Sequence, residues 1–72
     1  MTQTAAVLAY LRAHPEGLTA LDSLRWLGVF RLAARVWDLR REGWDIRDEM
    51  VTLDSGKRIA RYWLPGQVST GL

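Results

Sequence analysis

Arg31, Arg35, Arg40 and Arg41 fall within the stretch RLAARVWDLRREG, the densest concentration of one chemical group in the chain. A guanidinium is a planar fork of donors that keeps its charge at any physiological pH. It fits phosphate oxygens, or the O6 and N7 edge of guanine, two bonds at a time. Nine of the ten basic residues are arginine, which suits that chemistry, but a GC-rich coding sequence produces the same excess. Position has to decide between the two.

The other reactive side chains stand in patterns that argue against catalysis. His14 is the one histidine and precedes Pro15 in a turn, so neither a general base nor a multi-histidine metal site can be assembled around it. Asp45, Asp48, Glu49 and Asp54 form an acidic segment. Alternation on a strand sends Asp48 and Glu49 to opposite faces, and the spacing is not that of a calcium loop. They read as charge partners for Arg58 and Arg61 across a hairpin. Asp54-Ser55-Gly56-Lys57 matches only the tail of a phosphate-binding loop and lacks its strand-to-helix setting. Cysteine is absent, which removes disulfides and thiolate chemistry. The expectation is a protein that is not an enzyme and uses no metal, cofactor or small-molecule ligand.

Charge sign is distributed unevenly although the net charge is only +2. Residues 1–30 are neutral, residues 31–43 carry +2, residues 44–54 carry −3, and residues 55–72 carry +3 from Lys57, Arg58 and Arg61. Two basic segments bracket an acidic one, and for binding a polyanion that distribution matters more than the total. With 49% apolar residues in a chain of 72, the composition is that of one small folded domain. Its core supplies only a few kcal/mol, roughly. No apolar run approaches the ~18 residues of a membrane span, and no basic start leads into an apolar block, so the expected location is the cytoplasm.

Short elements must position the arginines. Thr4 to Ala13 reads as a first helix capped by Thr2 or Thr4 and stopped by His14-Pro15-Glu16-Gly17. Thr19 followed by Asp22 resembles a capping box with a shortened acid, starting a second helix through Leu27 with Leu21, Leu24 and Leu27 inward. Gly28 sits where two helices must turn sharply, and Val29 packs inside that turn. The third helix runs from Phe30 or Arg31 to Glu42, with Gly43 as its stop. Its buried stripe is Leu32, Val36 and Leu39. Phe30, Arg31, Ala34, Trp37, Asp38 and Arg41 face away, with Arg35 and Arg40 on the flanks.

After Gly43 the hydrophobic period changes to two, and Asp54-Ser55-Gly56 closes a hairpin between about 46–53 and 57–64. With Leu53 facing Lys57, the register sets Met50 opposite Ala60, Val51 opposite Ile59, Glu49 opposite Arg61 and Arg47 opposite Trp63. Ile46, Met50, Ala60, Tyr62 and Leu64 then share the core face, while Val51, Leu53, Ile59 and Trp63 make the other face unusually apolar. The expected fold is α+β, three helices followed by a hairpin wing over residues 1–64. Residues 65–72 are expected to form a short tail.

The segment LTALDSLRWLGVFRLAARVWDLRREGWDI and the later KRIARYWL carry a resemblance. They are similar to the small winged helix-turn-helix domain of phage and prophage proteins, whose pattern is a TALxxLxxLGxxRLAARIxxLRxxGxxI core and a terminal ARYxL strand. The likeness spans about residues 4–64, and Arg31-Leu32-Ala33-Ala34-Arg35 with Leu39-Arg40 and Gly43 is its most specific part. It implies the fold, and a double-stranded DNA partner, in transcription regulation or as an excision or replication accessory factor. The third helix would enter the major groove with Arg31, Ala34, Arg35, Asp38 and Arg41, while Arg25, Lys57 and Arg58 would meet phosphates. Winged helices also serve as protein-interaction modules.

Trp26, Trp37 and Trp63 depart from the pattern, and the projections place all three outward. Each could bury about 200 Å². Either a homodimer or protein partner covers Trp26, Trp37, Val51, Ile59 and Trp63, or the indoles lie flat on neighbouring arginine stems, Trp63 over Arg47 for instance. Trp44 is explained by packing over the start of the wing.

Overall fold

The computed structural model describes residues 2–65, and the tail beyond Pro65 lies outside the described residues. Helix α1 (Gln3–Ala13) begins where the Thr2 hydroxyl accepts the Ala5 N–H at 3.0 Å. It ends at His14, whose N–H reaches the Tyr10 carbonyl at 2.9 Å and whose ring stacks on Tyr10 at 3.9 Å. The Glu16 carboxylate is held below the usual carboxylate range by its own backbone N–H and by the His14 ring 3.0 Å away.

The chain then enters a strand that the sequence pattern does not reveal. Strand β1 (Leu18–Thr19) pairs antiparallel with β3 (Arg58–Trp63), Leu18 opposite Tyr62 and Thr19 opposite Arg61, and β3 also pairs with β2 (Arg47–Thr52). The sheet order is β1-β3-β2. Gly17 makes this approach possible. Its φ is +100°, and a Cβ there would lie 2.6 Å from the Tyr62 carbonyl oxygen, so a side chain is excluded by conformation and by contact.

Thr19 closes β1 and caps the next helix, accepting the Asp22 N–H at 3.1 Å. That helix, α2 (Ala20–Asp22), passes into a π-helical turn (Ser23–Leu27). The wider turn shifts the inward phase by about one residue. Ser23 is therefore buried, its hydroxyl donating to the Val29 carbonyl at 3.2 Å, while Leu21 and Leu24, expected inside, are 45% and 42% exposed. Leu27 still packs against the core. Gly28 turns the corner in the left-handed region at φ 68°, and Val29 is buried inside that corner, as its apolar character requires.

Helix α3 (Leu32–Arg41) buries Leu32, Val36 and Leu39. With Val7 and Leu11 of α1, Leu18, Val29, Ile46 and Leu64 they make the core, flanked by Leu8, Tyr10, Leu27, Trp44 and Tyr62. The hairpin register follows the sequence reading at each named pair, and the Leu53 N–H meets the Lys57 carbonyl at 2.7 Å.

Several side chains on the hairpin do not lie where their alternation put them. Met50 has the parity of the core face but is exposed, because the helices cover only the root of the hairpin, where Ile46 and Leu64 are buried. Trp63, expected outward, is half-buried: β1 lines up beside β3, bringing Gly17 against the Trp63 Cβ, and the Arg61 guanidinium lies 5.4 Å from the indole centroid. Arg61, not Arg47, is its cation partner. Val51 and Ile59 are half-buried as well.

Candidate nucleic-acid interface

The arginines divide into two groups by what surrounds them. Arg40 sits one helical position before the end of α3 and reaches back to the start of β2. Its Nε and Nη2 donate to the Ile46 carbonyl at 2.9 and 2.7 Å, and Nη2 also meets the Asp48 carboxylate at 2.9 Å. Arg61 links β3 to the Glu49 carboxylate on β2 and to the Glu16 carbonyl in the turn before β1. Arg47 pairs with Asp45 at 3.1 Å. Asp45, Asp48 and Glu49 of the acidic segment are thus paired with arginines of the chain itself. Arg61 is among them, as its position opposite Glu49 requires, while Arg58 is not and Arg40 and Arg47 are.

Arg35 belongs to the same group. It pairs with Asp38 across one helical turn at 3.3 Å and is half-buried, with its Nε enclosed and lacking a partner among the described residues. Together with Arg41 and Glu42 these two residues border a shallow hollow that Thr2 and Thr4 of α1 complete.

A second group has no carboxylate partner among the described residues: Arg12 on α1, Arg25 on the π turn, Arg31 at the start of α3, Arg41 at its end, and Lys57 and Arg58 at the wing tip. All six are exposed, and Arg12 lies over Trp44, 5.8 Å from its centroid and away from the other five in the chain. The helical projection predicts Arg31, Ala34, Trp37 and Arg41 opposite the buried stripe. Arg31, Trp37 and Arg41 are exposed there, and Ala34 and Asp38 are half-buried. Arg41 lies over the Trp37 ring, 4.7 Å from its centroid. Phe30, just before the helix, is 79% exposed, and Trp26 is 65% exposed.

Arg40, placed on the flank of α3 by the projection, clamps the helix to β2, a role that the sequence reading did not assign to it. Its position at the edge of the α3 projection, one turn before a strand rich in acids, was the available signal. Among the described residues no cluster of His, Asp or Glu is arranged to hold a metal, and no helix is long and apolar enough to cross a membrane. Such an arrangement presents charge and shape, with α3 raised on a core of apolar side chains and the wing tip projecting beyond it.

No curated protein and no solved structure matches the chain. A family model described as a winged helix-turn-helix domain matches residues 2–66, almost the whole chain, and the observed helices and hairpin have that architecture. The fold is a DNA-binding one and is not typically catalytic. The chain belongs to the winged helix-turn-helix domain family.

Proposed function

We propose that this chain is a sequence-specific double-stranded DNA-binding protein of phage or prophage type, acting in the cytoplasm of a bacterial host as a transcription regulator or as an accessory factor in excision or replication. The observation that carries the reading is the segregation of cations. Arg25, Arg31, Arg41, Lys57 and Arg58 are exposed and free of acidic partners among the described residues, and they stand on the π turn, α3 and the wing tip.

α3 enters the major groove, which admits one helix, and Arg31, Ala34 and Arg41 approach the base edges. Arg25, Lys57 and Arg58 hold phosphates. Arg35 and Asp38, both expected at the bases, form a pair that orients this face from its flank. Selection from a random duplex pool tests the proposal: an enriched motif that the chain binds more tightly than random DNA supports it. A pool that remains random after repeated rounds contradicts it.

Trp26, Phe30 and Trp37 are 65%, 79% and 58% exposed, and that observation favours a second reading, a homodimer or protein-interaction module. Val51, Ile59 and Trp63 contribute less to such a surface than alternation implied, being half-buried in the sheet. Absence of binding to random duplex at ~50 mM salt, where phosphate contacts are strongest, favours this second reading. A clean monomer in sedimentation at high micromolar concentration removes the homodimer.

A further inference from the structure

Trp37 and Arg41 are four residues apart on α3, so they stand one above the other on the same face. The Arg41 guanidinium lies over the indole at 4.7 Å from the ring centroid. Asp38, three residues before Arg41, is occupied by Arg35 at 3.3 Å, and the adjacent Glu42 makes no ion pair among the described residues. Trp37 remains 58% exposed in spite of the stack. A guanidinium lying on an aromatic face uses its π surface and leaves the donors at its edge free. Its position over the ring is set before any ligand arrives, which lowers the ordering cost of binding.

We propose that Trp37 and Arg41 act as one base-reading unit: Arg41 donates to O6 and N7 of a guanine, and the indole packs on the C5-methyl group of a neighbouring thymine. The inference rests on the reading of α3 as the helix that enters the major groove. Guanine is the base whose groove edge offers two acceptors in the spacing of a guanidinium fork, and thymine is the base whose edge carries an apolar group. The indole suits the second, being a large apolar plane without an acceptor. Ala34, one turn earlier on this face, has a side chain too short to hold the helix away from the bases. Arg35 is excluded from this part by its ion pair and enclosed Nε.

The test uses the full chain and a duplex selected from a random pool, resynthesised with deoxyuridine for each thymine and with 7-deazaguanine for each guanine. One guanine is expected at which loss of N7 weakens binding about tenfold. At a thymine beside it, loss of the methyl group weakens the wild type about fourfold, as expected for one buried methyl group. Trp37→Ala is expected to be indifferent to that methyl, with a melting temperature near the wild type because the indole is largely exposed. Arg41→Lys keeps the charge, so affinity for random duplex holds while the guanine preference falls. Deoxyuridine substitution without effect at any position, or an Arg41→Lys protein with its guanine preference intact, overturns the proposal. Failure to bind any duplex at ~50 mM salt overturns the parent reading, and the base-reading unit falls with it.

Discussion

The root and the tip of the wing are made of the same two strands, yet their charged residues do opposite things. At the root, Ile46 and Leu64 are buried, Arg40 grips the Ile46 carbonyl and Asp48, and Arg61 ties β3 to Glu49 and to the turn before β1. At the tip, Met50 is exposed and Lys57 and Arg58 have no acidic partner among the described residues. An arginine's role in this molecule is set by whether a carbonyl or carboxylate is already within reach. Arg40 holds the root of the wing to the end of α3, Arg61 holds it to the turn before β1, and the tip cations are left for an outside anion.

The comparison can be broken from the root first. Gly17→Ala forces a side chain into the left-handed region and against the Tyr62 carbonyl, and should cost about 3 kcal/mol or more in a denaturant melt. Arg40→Ala removes the clamp between α3 and β2 and should cost about 1–3 kcal/mol in the same measurement. Lysine there should restore only part of it, because a single ammonium cannot follow the planar fork. Unchanged melting of either variant would mean that the root is not held as described.

At the tip the effect should move from stability to binding. Lys57→Ala with Arg58→Ala should leave the melt within about 0.5 kcal/mol of wild type. The same variant should flatten the salt dependence of duplex binding by about 0.9 in slope for each phosphate that it no longer neutralises. The smallest expected effect is that of Arg47→Ala, which breaks the exposed pair with Asp45 and should cost less than about 1 kcal/mol with no change in salt slope.

Much of this was legible in the chain because local chemistry dictated it. Threonines preceding apolar periods became caps at Thr2 and Thr19, Gly28 became the corner, and Asp54-Ser55-Gly56 fixed a register that then held along both strands. The failures on the strands share a cause, which is that they depend on distant partners. Two residues, Leu18 and Thr19, are too few to show a strand period, and only β3 makes them a strand. Trp63 looked outward because alternation knows nothing of the Gly17 backbone beside it. The π turn moved Ser23 inward and Leu21 and Leu24 outward, against a projection that assumes about 3.6 residues per turn.

For the candidate site, projection correctly separated the buried stripe of α3 from Arg31, Trp37 and Arg41. It could not tell open arginines from paired ones. Arg35 and Arg41 both stand three residues from Asp38, and the difference lies in which of them it holds.

The central claim is that the open cations of the π turn, α3 and the wing tip form a duplex-binding face while the paired arginines support the fold. Titration of a fluorescent random duplex over a series of salt concentrations, for the wild type and for the Arg25→Ala, Lys57→Ala, Arg58→Ala protein, tests it most directly. Three neutralised phosphates predict a wild-type slope of log K against log salt of about −3 or steeper, and a variant slope shallower by about 2 to 3. A wild-type chain that leaves the duplex free at ~50 mM salt, or a variant with the wild-type slope, would contradict it.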